Sequence, residues 1–491
     1  MRRRAILIIL LMLLCYSYAP PRWADWSQTS RLALVRAMVE RRTLRIDAYV
    51  ESTGDYALID GHAYSDKAPG PALLAAPLYA LIWQIQQWGP IQGLLERLAR
   101  RAALAGTVRS DGAGLSVDRV GLAFSHYLLT LAIVALPAAL AVAALDWLLR
   151  RWFQPGPALL GALSYGAATP AAVYAGNFYS HALVAALLIG AWALIERAGD
   201  APQQRGRWLI GAGLLLGWSA ISEYPALLIG GALGLYALRR CGAAAIGWLA
   251  LGGAPALVAL AGYDWLAFGT LWPIGYAHSA LWQEQHQSGF VSLTYPHPAA
   301  LWGLLGGGFR GLFVRAPWLL LALPGLISWA RSGWRRDLLV LVGAASLSLW
   351  LVYGSSRMWW GGFAAGPRYL VPILPFVAVA ATYWIDRRWR QPGWRWLAIG
   401  LAALSLLLVW AEALAGQQFP PDNLRQPWTM WTLPAWQRSD VARNLGMALG
   451  LRGGLSLLPL VIVAAGLGAL LLRTPRRHTQ RSSAQPLPMT R

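Results

Sequence analysis

The feature that most constrains this chain is a series of apolar blocks, each close to the length a helix needs to cross a bilayer. A spanning helix takes about 20 apolar residues, because each residue rises about 1.5 Å through a hydrocarbon core about 30 Å thick. Such blocks lie at 4–20, 71–88, 119–149, 157–176, 181–197, 208–222, 225–239, 242–268, 316–330, 337–354, 369–385, 396–415 and 453–473. In lipid a helix satisfies its own backbone polar groups, so the pattern predicts an all-α fold. The expectation is a polytopic integral membrane protein with about 12–13 transmembrane helices, one multispan domain over 1–473. Only 13% of the 491 residues are charged, against about 25% in soluble domains, so a string of soluble domains is excluded.

The net charge of +21 points to topology rather than to nucleic acid. The arginines form short clusters that flank apolar blocks: Arg150–Arg151, Arg239–Arg240, Arg335–Arg336, Arg387–Arg388–Trp389–Arg390 and Arg476–Arg477. This is the positive-inside pattern, in which loops rich in arginine stay in the cytoplasm. It places a first outer loop at 21–70, and later outer segments at 177–181, 222–225, 269–298, 355–368 and 416–452. Residues 474–491 form a basic tail expected to be cytoplasmic and disordered. Met1-Arg2-Arg3-Arg4 before an apolar run imitates a signal peptide, and an uncleaved first span is the expected reading. Thirteen spans starting inside would end outside, against the basic tail. The conflict lies between 71 and 150, where either 89–118 hides a re-entrant piece or 119–149 breaks at Pro137. Cys15 and Cys241 both lie in or beside apolar blocks and are expected to be small core residues.

The first outer loop holds Asp25, Glu40, Asp47, Glu51, Asp55, Asp60 and Asp66, a third of the 21 acidic residues. Ser27 to Arg42 has the pattern of an amphipathic helix lying in the interface, and Asp60-Gly61-His62 has turn chemistry. Tyr64-Ser65-Asp66-Lys67 contains the only lysine of the chain, set beside a carboxylate at the mouth of a span. An ammonium is a compact point charge suited to a phosphate, and a salt bridge at the interface is the plainer alternative. A second constellation runs from Arg357 through Trp359-Trp360-Gly361-Gly362 to Arg368-Tyr369. Its tryptophans offer flat faces for a sugar ring, and Arg357 with Arg368 could clamp a phosphate; an aromatic belt over a tight turn explains the same residues. A third comprises Tyr263-Asp264, His278 and Arg310. Asp264 closes an apolar block, where an ionisable group at membrane depth points to function and one at headgroup level does not. His126, His181 and Glu223 are weaker candidates, each also explicable as a cap or an interhelical hydrogen bond. No HExxH, paired CxxC, DxD, Walker motif or GxGxxG occurs, so no cofactor or nucleotide is expected.

Together these residues resemble the C-type (GT-C) glycosyltransferases, and most closely the branch of the protein O-mannosyltransferases and lipid A aminoarabinose transferases. The resemblance covers residues 1–90 and extends loosely through the later spans. Arg31 matches the family's arginine in the interfacial helix, and Asp66-Lys67-Ala68-Pro69 resembles its acidic-Lys motif with one residue inserted. The Trp359 to Tyr369 stretch is similar to one in many bacterial members. The family's catalytic aspartate falls near Gln28-Thr29, where this chain has no acid, leaving Asp25, Asp47 and Asp66 as candidate carboxylates.

The resemblance implies an inverting transfer of a sugar from a polyprenyl-phosphate donor to a lipid, glycan or protein acceptor. It implies a multi-pass protein of the bacterial inner membrane, with its site facing the periplasm; without a metal-binding motif, metal-independent chemistry is expected. Lys67, Arg31, Arg357 and Arg368 would bind the donor phosphate. His62, Tyr64, Trp359, Trp360, His181, Glu223, Asp264 and His278 would meet sugar or acceptor. The competing readings are a transporter or flippase for a lipid-linked glycan, and a non-catalytic envelope assembly protein.

Overall fold

A computed structural model describes residues 2–22, 25–99, 119–271, 275–281, 284 and 292–473. The long helices are α1 (Arg2–Ser17), α2 (Trp26–Arg36), α3 (Gly70–Gln86), α4 (Gly89–Ala99), α5 (Val120–Trp152), α6 (Pro155–Ala167), α7 (Ser180–Asp200), α8 (Arg205–Ser222), α9 (Ala226–Cys241) and α10 (Ala244–Phe268). They continue with α11 (Pro298–Leu305), α12 (Ala322–Ser332), α13 (Arg336–Gly354), α14 (Leu374–Arg388), α15 (Pro392–Ala413) and α16 (Leu458–Leu472). Among the described residues, 7 helical stretches are long and apolar enough to cross a membrane on their own. The protein is thus an all-α polytopic membrane protein, with one short hairpin in its first loop.

Contacts between helix ends sort the bundle into two poles. At the basic pole, Arg4 of α1 pairs with Asp146 of α5, Arg151 with Asp200 of α7, and Arg240 of α9 with the same Asp200. Arg335, ahead of α13, donates to the Tyr236 hydroxyl of α9 (2.7 Å), and the Gln154 amide donates to Asp386 of α14 (2.8 Å). At the opposite, loop-rich pole, Tyr127 of α5 donates to the Ser17 carbonyl (2.9 Å) and Tyr18 donates to the Ser456 carbonyl (2.6 Å). The buried pair Arg315–Glu412 joins the start of α12 to the end of α15 there (2.7 Å).

These ties resolve the parity conflict. Helix α5 runs antiparallel to α1, so the chain has already returned by Trp152. Both ends of α3 sit at the loop-rich pole. The Gly70 carbonyl accepts from Trp218 near the outer end of α8 (3.2 Å), and Gln86 donates to the Gly121 carbonyl (2.9 Å), ahead of Tyr127. The block at 71–88 therefore lies along that pole instead of crossing. The remaining helices α1, α5, α6, α7, α8, α9, α10, α12, α13, α14, α15 and α16 are twelve, an even number, which brings the end of α16 back to the pole where α1 begins. The expected break of 119–149 at Pro137 is not seen. Residues 120–152 form one helix, which carries a π turn at Leu131–Ala135 just before Pro137. A proline has no N–H to give its preceding turn, and the wider π turn accommodates that gap without a break. Of 89–118, the described part is α4; the rest, like the tail at 474–491, lies outside the described residues.

The first outer loop departs from expectation in one respect. Helix α2 does not lie with one face open: Ser27, Gln28, Ser30, Arg31, Leu32, Ala33, Leu34 and Val35 are all buried. It packs against α3 and continues through a π turn at Ala37–Arg41 to Arg42, where a positive φ of 54° ends it. Strands β1 (Tyr56–Ile59) and β2 (His62–Ser65) then pair antiparallel, with Ile59 opposite His62. Asp60 and Gly61 form the two-residue loop with φ of 51° and 78°, the double positive φ that matches strand twist in a tight hairpin. Asp47 pins this hairpin by accepting from the Ala63 amide (2.6 Å). The strand then delivers Asp66 and Lys67 to the bundle mouth.

Candidate active site

Asp25 is the N-cap of α2, accepting from the Ser27 amide (3.1 Å) with extended backbone. Its other oxygen accepts from Gln28 Nε2 (3.1 Å) and from the Tyr179 hydroxyl, and the side chain is buried. Burial raises the Asp25 carboxyl above its usual range, only partly offset by the Tyr179 hydrogen bond and the Arg368 charge. The Tyr179 hydroxyl is pushed well above its usual value by burial and by Asp25, so it stays a donor. Arg368 reaches the same hydroxyl from the start of the Arg368–Arg388 stretch (3.3 Å), while its Nε has no hydrogen-bond partner.

Lys67 sits between two carboxylates, 2.9 Å from Asp55 and 3.1 Å from Asp66. Burial pulls its pKa down, but Asp55 and Asp66 more than offset this and hold it above the ordinary lysine value. Asp66 is raised by burial, partly countered by Lys67, and also accepts from the Ser279 hydroxyl (3.3 Å). Arg31 projects from α2 toward the same region. It donates to the Ser27 carbonyl and hydroxyl (both 2.8 Å) and to Ser180 Oγ (2.8 Å), and lies 3.7 Å from Glu223. Glu223 also accepts from Ser180 and lies 3.3 Å from His181 Nδ1. The groups form one electrostatic unit: Asp55 acts on Asp25, Asp66 and Lys67, while Arg31, Lys67 and Arg368 all act on His181.

The loop from Trp359 to Tyr369 is wound around a buried arginine. Arg310 donates to the carbonyls of Trp360 (3.0 Å), Gly362 (2.7 Å) and Ala364 (2.7 Å). Gly361 and Gly362 both take positive φ, 74° and 63°, which lets three carbonyls turn toward one guanidinium. Burial lowers Arg310 to about 10, which leaves it charged at neutral pH. The Tyr174 hydroxyl fixes the next residue, bonding the Ala365 carbonyl (3.0 Å) and amide (3.1 Å). This scaffold aims Arg368 at Asp25 and Tyr179.

Of the residues singled out in the sequence, the structure brings together Asp25, Arg31, Asp66, Lys67, His181, Glu223 and Arg368. Tyr64 borders them through strand β2. Asp47 and His62 instead pair with each other (2.9 Å) at an exposed corner of the hairpin. Arg357 is exposed and makes no clamp with Arg368. Trp359, half-buried, packs edge-on against Phe309, and Trp360, also half-buried, donates to Asp422 (3.2 Å). His278 is exposed beside Ser279. Asp264 is buried on the inward face of α10. Asp55 stood out in the sequence only as one of the acids of the first loop, and Tyr179, Ser180 and Ser279 did not stand out as site residues. The signal for Tyr179 and Ser180 was present in Asn177-Phe178-Tyr179-Ser180, a polar break at an outer helix start. Among the described residues no three His, Cys, Asp or Glu side chains gather to hold a metal ion.

No family model matches the sequence, and none of the curated proteins is a match. Among solved structures, the chain is similar to ArnT from Cupriavidus metallidurans in its apo state, at 17% identity and a TM-score of 0.48. It is likewise similar to ArnT from the same organism bound to undecaprenyl phosphate, at 18% identity and a TM-score of 0.47. Each comparison covers 95% of this chain and 74% of the other.

Proposed function

We propose that this protein is a membrane glycosyltransferase of the C type. It moves a sugar from a polyprenyl-phosphate donor to an acceptor outside the bacterial inner membrane. The observation that carries this reading is that Asp25, a buried carboxylate with no direct ion pair among the described residues, lies with Lys67, Arg31 and Arg368 at one pole of the bundle. A glycosyl transfer of this kind needs a base for the acceptor and cations for a leaving phosphate. The basic pole, by the positive-inside rule, is cytoplasmic, which turns the site outward.

In the proposed step an acceptor hydroxyl gives its proton to Asp25 as its oxygen bonds to the sugar's anomeric carbon. The bond from that carbon to the phosphate oxygen breaks, and the polyprenyl phosphate leaves with the electron pair. Lys67 and Arg31 hold the charge that develops on it, and Arg368 offers its unpartnered Nε. Attack opposite the leaving group inverts the anomeric centre. The cationic work is done by side chains, so the reaction proceeds without a metal ion.

The reading is tested by binding of undecaprenyl phosphate to the purified protein in nanodiscs. Saturable binding is expected, weakened about tenfold or more in Lys67→Ala, since a charge-assisted hydrogen bond contributes about 1.5–3 kcal/mol. Binding that is absent, or indifferent to Lys67, contradicts the reading.

A further inference from the structure

We infer that the donor's sugar ring seats on the outer end of α10, against Tyr263, Asp264, Tyr64 and Phe268, and not on the paired tryptophans of the outer loop. This rests on the glycosyltransferase reading and adds to it the place and chemistry of the sugar. Four consecutive residues of α10 divide sharply. Trp265 and Leu266 are 60% and 78% exposed, facing outward as lipid-facing residues do, whereas Tyr263 and Asp264 are 6% and 1% exposed. Yet among the described residues the Tyr263 hydroxyl and Asp264 Oδ2 have no hydrogen-bond partner. Buried polar atoms in folded proteins are nearly always satisfied, and leaving one unpaired costs about 1–3 kcal/mol. Two orphans on adjacent residues mark a place that a polar ligand completes.

The surroundings say which ligand. Ionisable groups close enough to act on the Tyr263 hydroxyl include Tyr224, Asp264, Tyr64 and Asp66, the last being a direct partner of Lys67. The orphan hydroxyl therefore lies on the side of α10 that faces the Asp66–Lys67 pair. The Phe268 ring stands between Tyr64 (5.2 Å) and Tyr263 (5.9 Å), edge to face with both, and is half-buried. An aromatic wall suits the C–H face of a sugar ring, while a phenol and a carboxylate suit its hydroxyls. The tryptophans expected to do this are engaged elsewhere, as described above. The ligand class is accordingly a sugar with free hydroxyls, linked to the phosphate that Lys67 and Arg31 hold.

The test compares two probes on three proteins. Bare undecaprenyl phosphate and undecaprenyl phosphates bearing glucose, mannose or galactose are titrated onto wild type, Tyr263→Phe and Asp264→Asn in nanodiscs. Each variant keeps the volume and shape of its side chain, and thermal unfolding of each apo-protein establishes that it is folded. The expected result is at least one sugar-bearing lipid that binds wild type more tightly than the bare phosphate does. That advantage falls about five- to tenfold in both variants, while the affinity for bare phosphate stays within twofold. Equal losses for both probes, or no loss for either, overturn the sugar seat. Failure of wild type to bind either probe overturns the glycosyltransferase reading itself.

Discussion

Asp25 holds two roles, and they separate by substitution. It caps α2 and it is the proposed base. Asparagine caps as well as aspartate does, but it accepts no proton. Asp25→Asn is therefore expected to keep the cap and the fold, with a modest loss of thermal stability because its amide nitrogen meets the Gln28 and Tyr179 donors, while transfer falls by about 10²–10⁴-fold. Asp25→Ala is expected to lose activity and about 1 kcal/mol of stability as well. A pH profile checks the same assignment. The base works as a carboxylate, so activity falls as pH drops through its pKa. Because burial raises that pKa, the acid limb of kcat/KM is expected above the ordinary carboxylate range. The Tyr179 hydrogen bond favours the charged form, so Tyr179→Phe should move the limb to still higher pH. An unmoved limb assigns the proton to another group. Asp66, Lys67 and Arg368 stood out in the sequence through their local motifs, and Asp25 and Arg31 through the family resemblance. Asp55 and Tyr179 did not stand out as site residues: one has the look of a turn, the other of an interfacial aromatic, and only folding sets them beside Lys67 and Asp25.

At the scale of elements, the loop around Arg310 positions the site without forming it. A lysine there retains the charge but cannot reach three carbonyls in a plane. Arg310→Lys is expected to destabilise the protein by on the order of 2–4 kcal/mol through carbonyls left unsatisfied. Transfer should fall along with it, because Arg368 loses its aim; thermal unfolding and a transfer assay on the same preparation measure both. The hairpin turn at Asp60-Gly61 was legible, since two adjacent residues tolerant of positive φ specify it locally. The burial of α2 was not. Its alternation of leucines and arginines fits an interfacial helix, but Arg31 and Gln28 are polar residues whose partners, Ser180 and the Phe178 amide, come from another part of the chain.

At the scale of the whole molecule, the boundaries of the crossings followed from the apolar blocks, and one crossing did not. Block 71–88 has the length and apolarity of a span, and what holds it at the loop-rich pole is contact with α2, α5 and α8, which no local pattern encodes. With Cys15 and Cys241 replaced, Trp88→Cys is expected to react with a membrane-impermeant maleimide from the same side as Ser439→Cys. Gln391→Cys should react only after permeabilisation. Trp88→Cys behaving like Gln391→Cys would restore α3 as a span. The segregation of arginine clusters at one pole and of the carboxylate–lysine site at the other is what makes an outward-facing transferase the central claim. Its most direct test is mass spectrometry of envelope glycans from a deletion strain complemented with wild type, Asp25→Asn or Lys67→Ala at matched expression. The account predicts that one defined sugar mass disappears in the deletion strain, returns with wild type and stays absent with both variants. Restoration of that mass by both variants would contradict it.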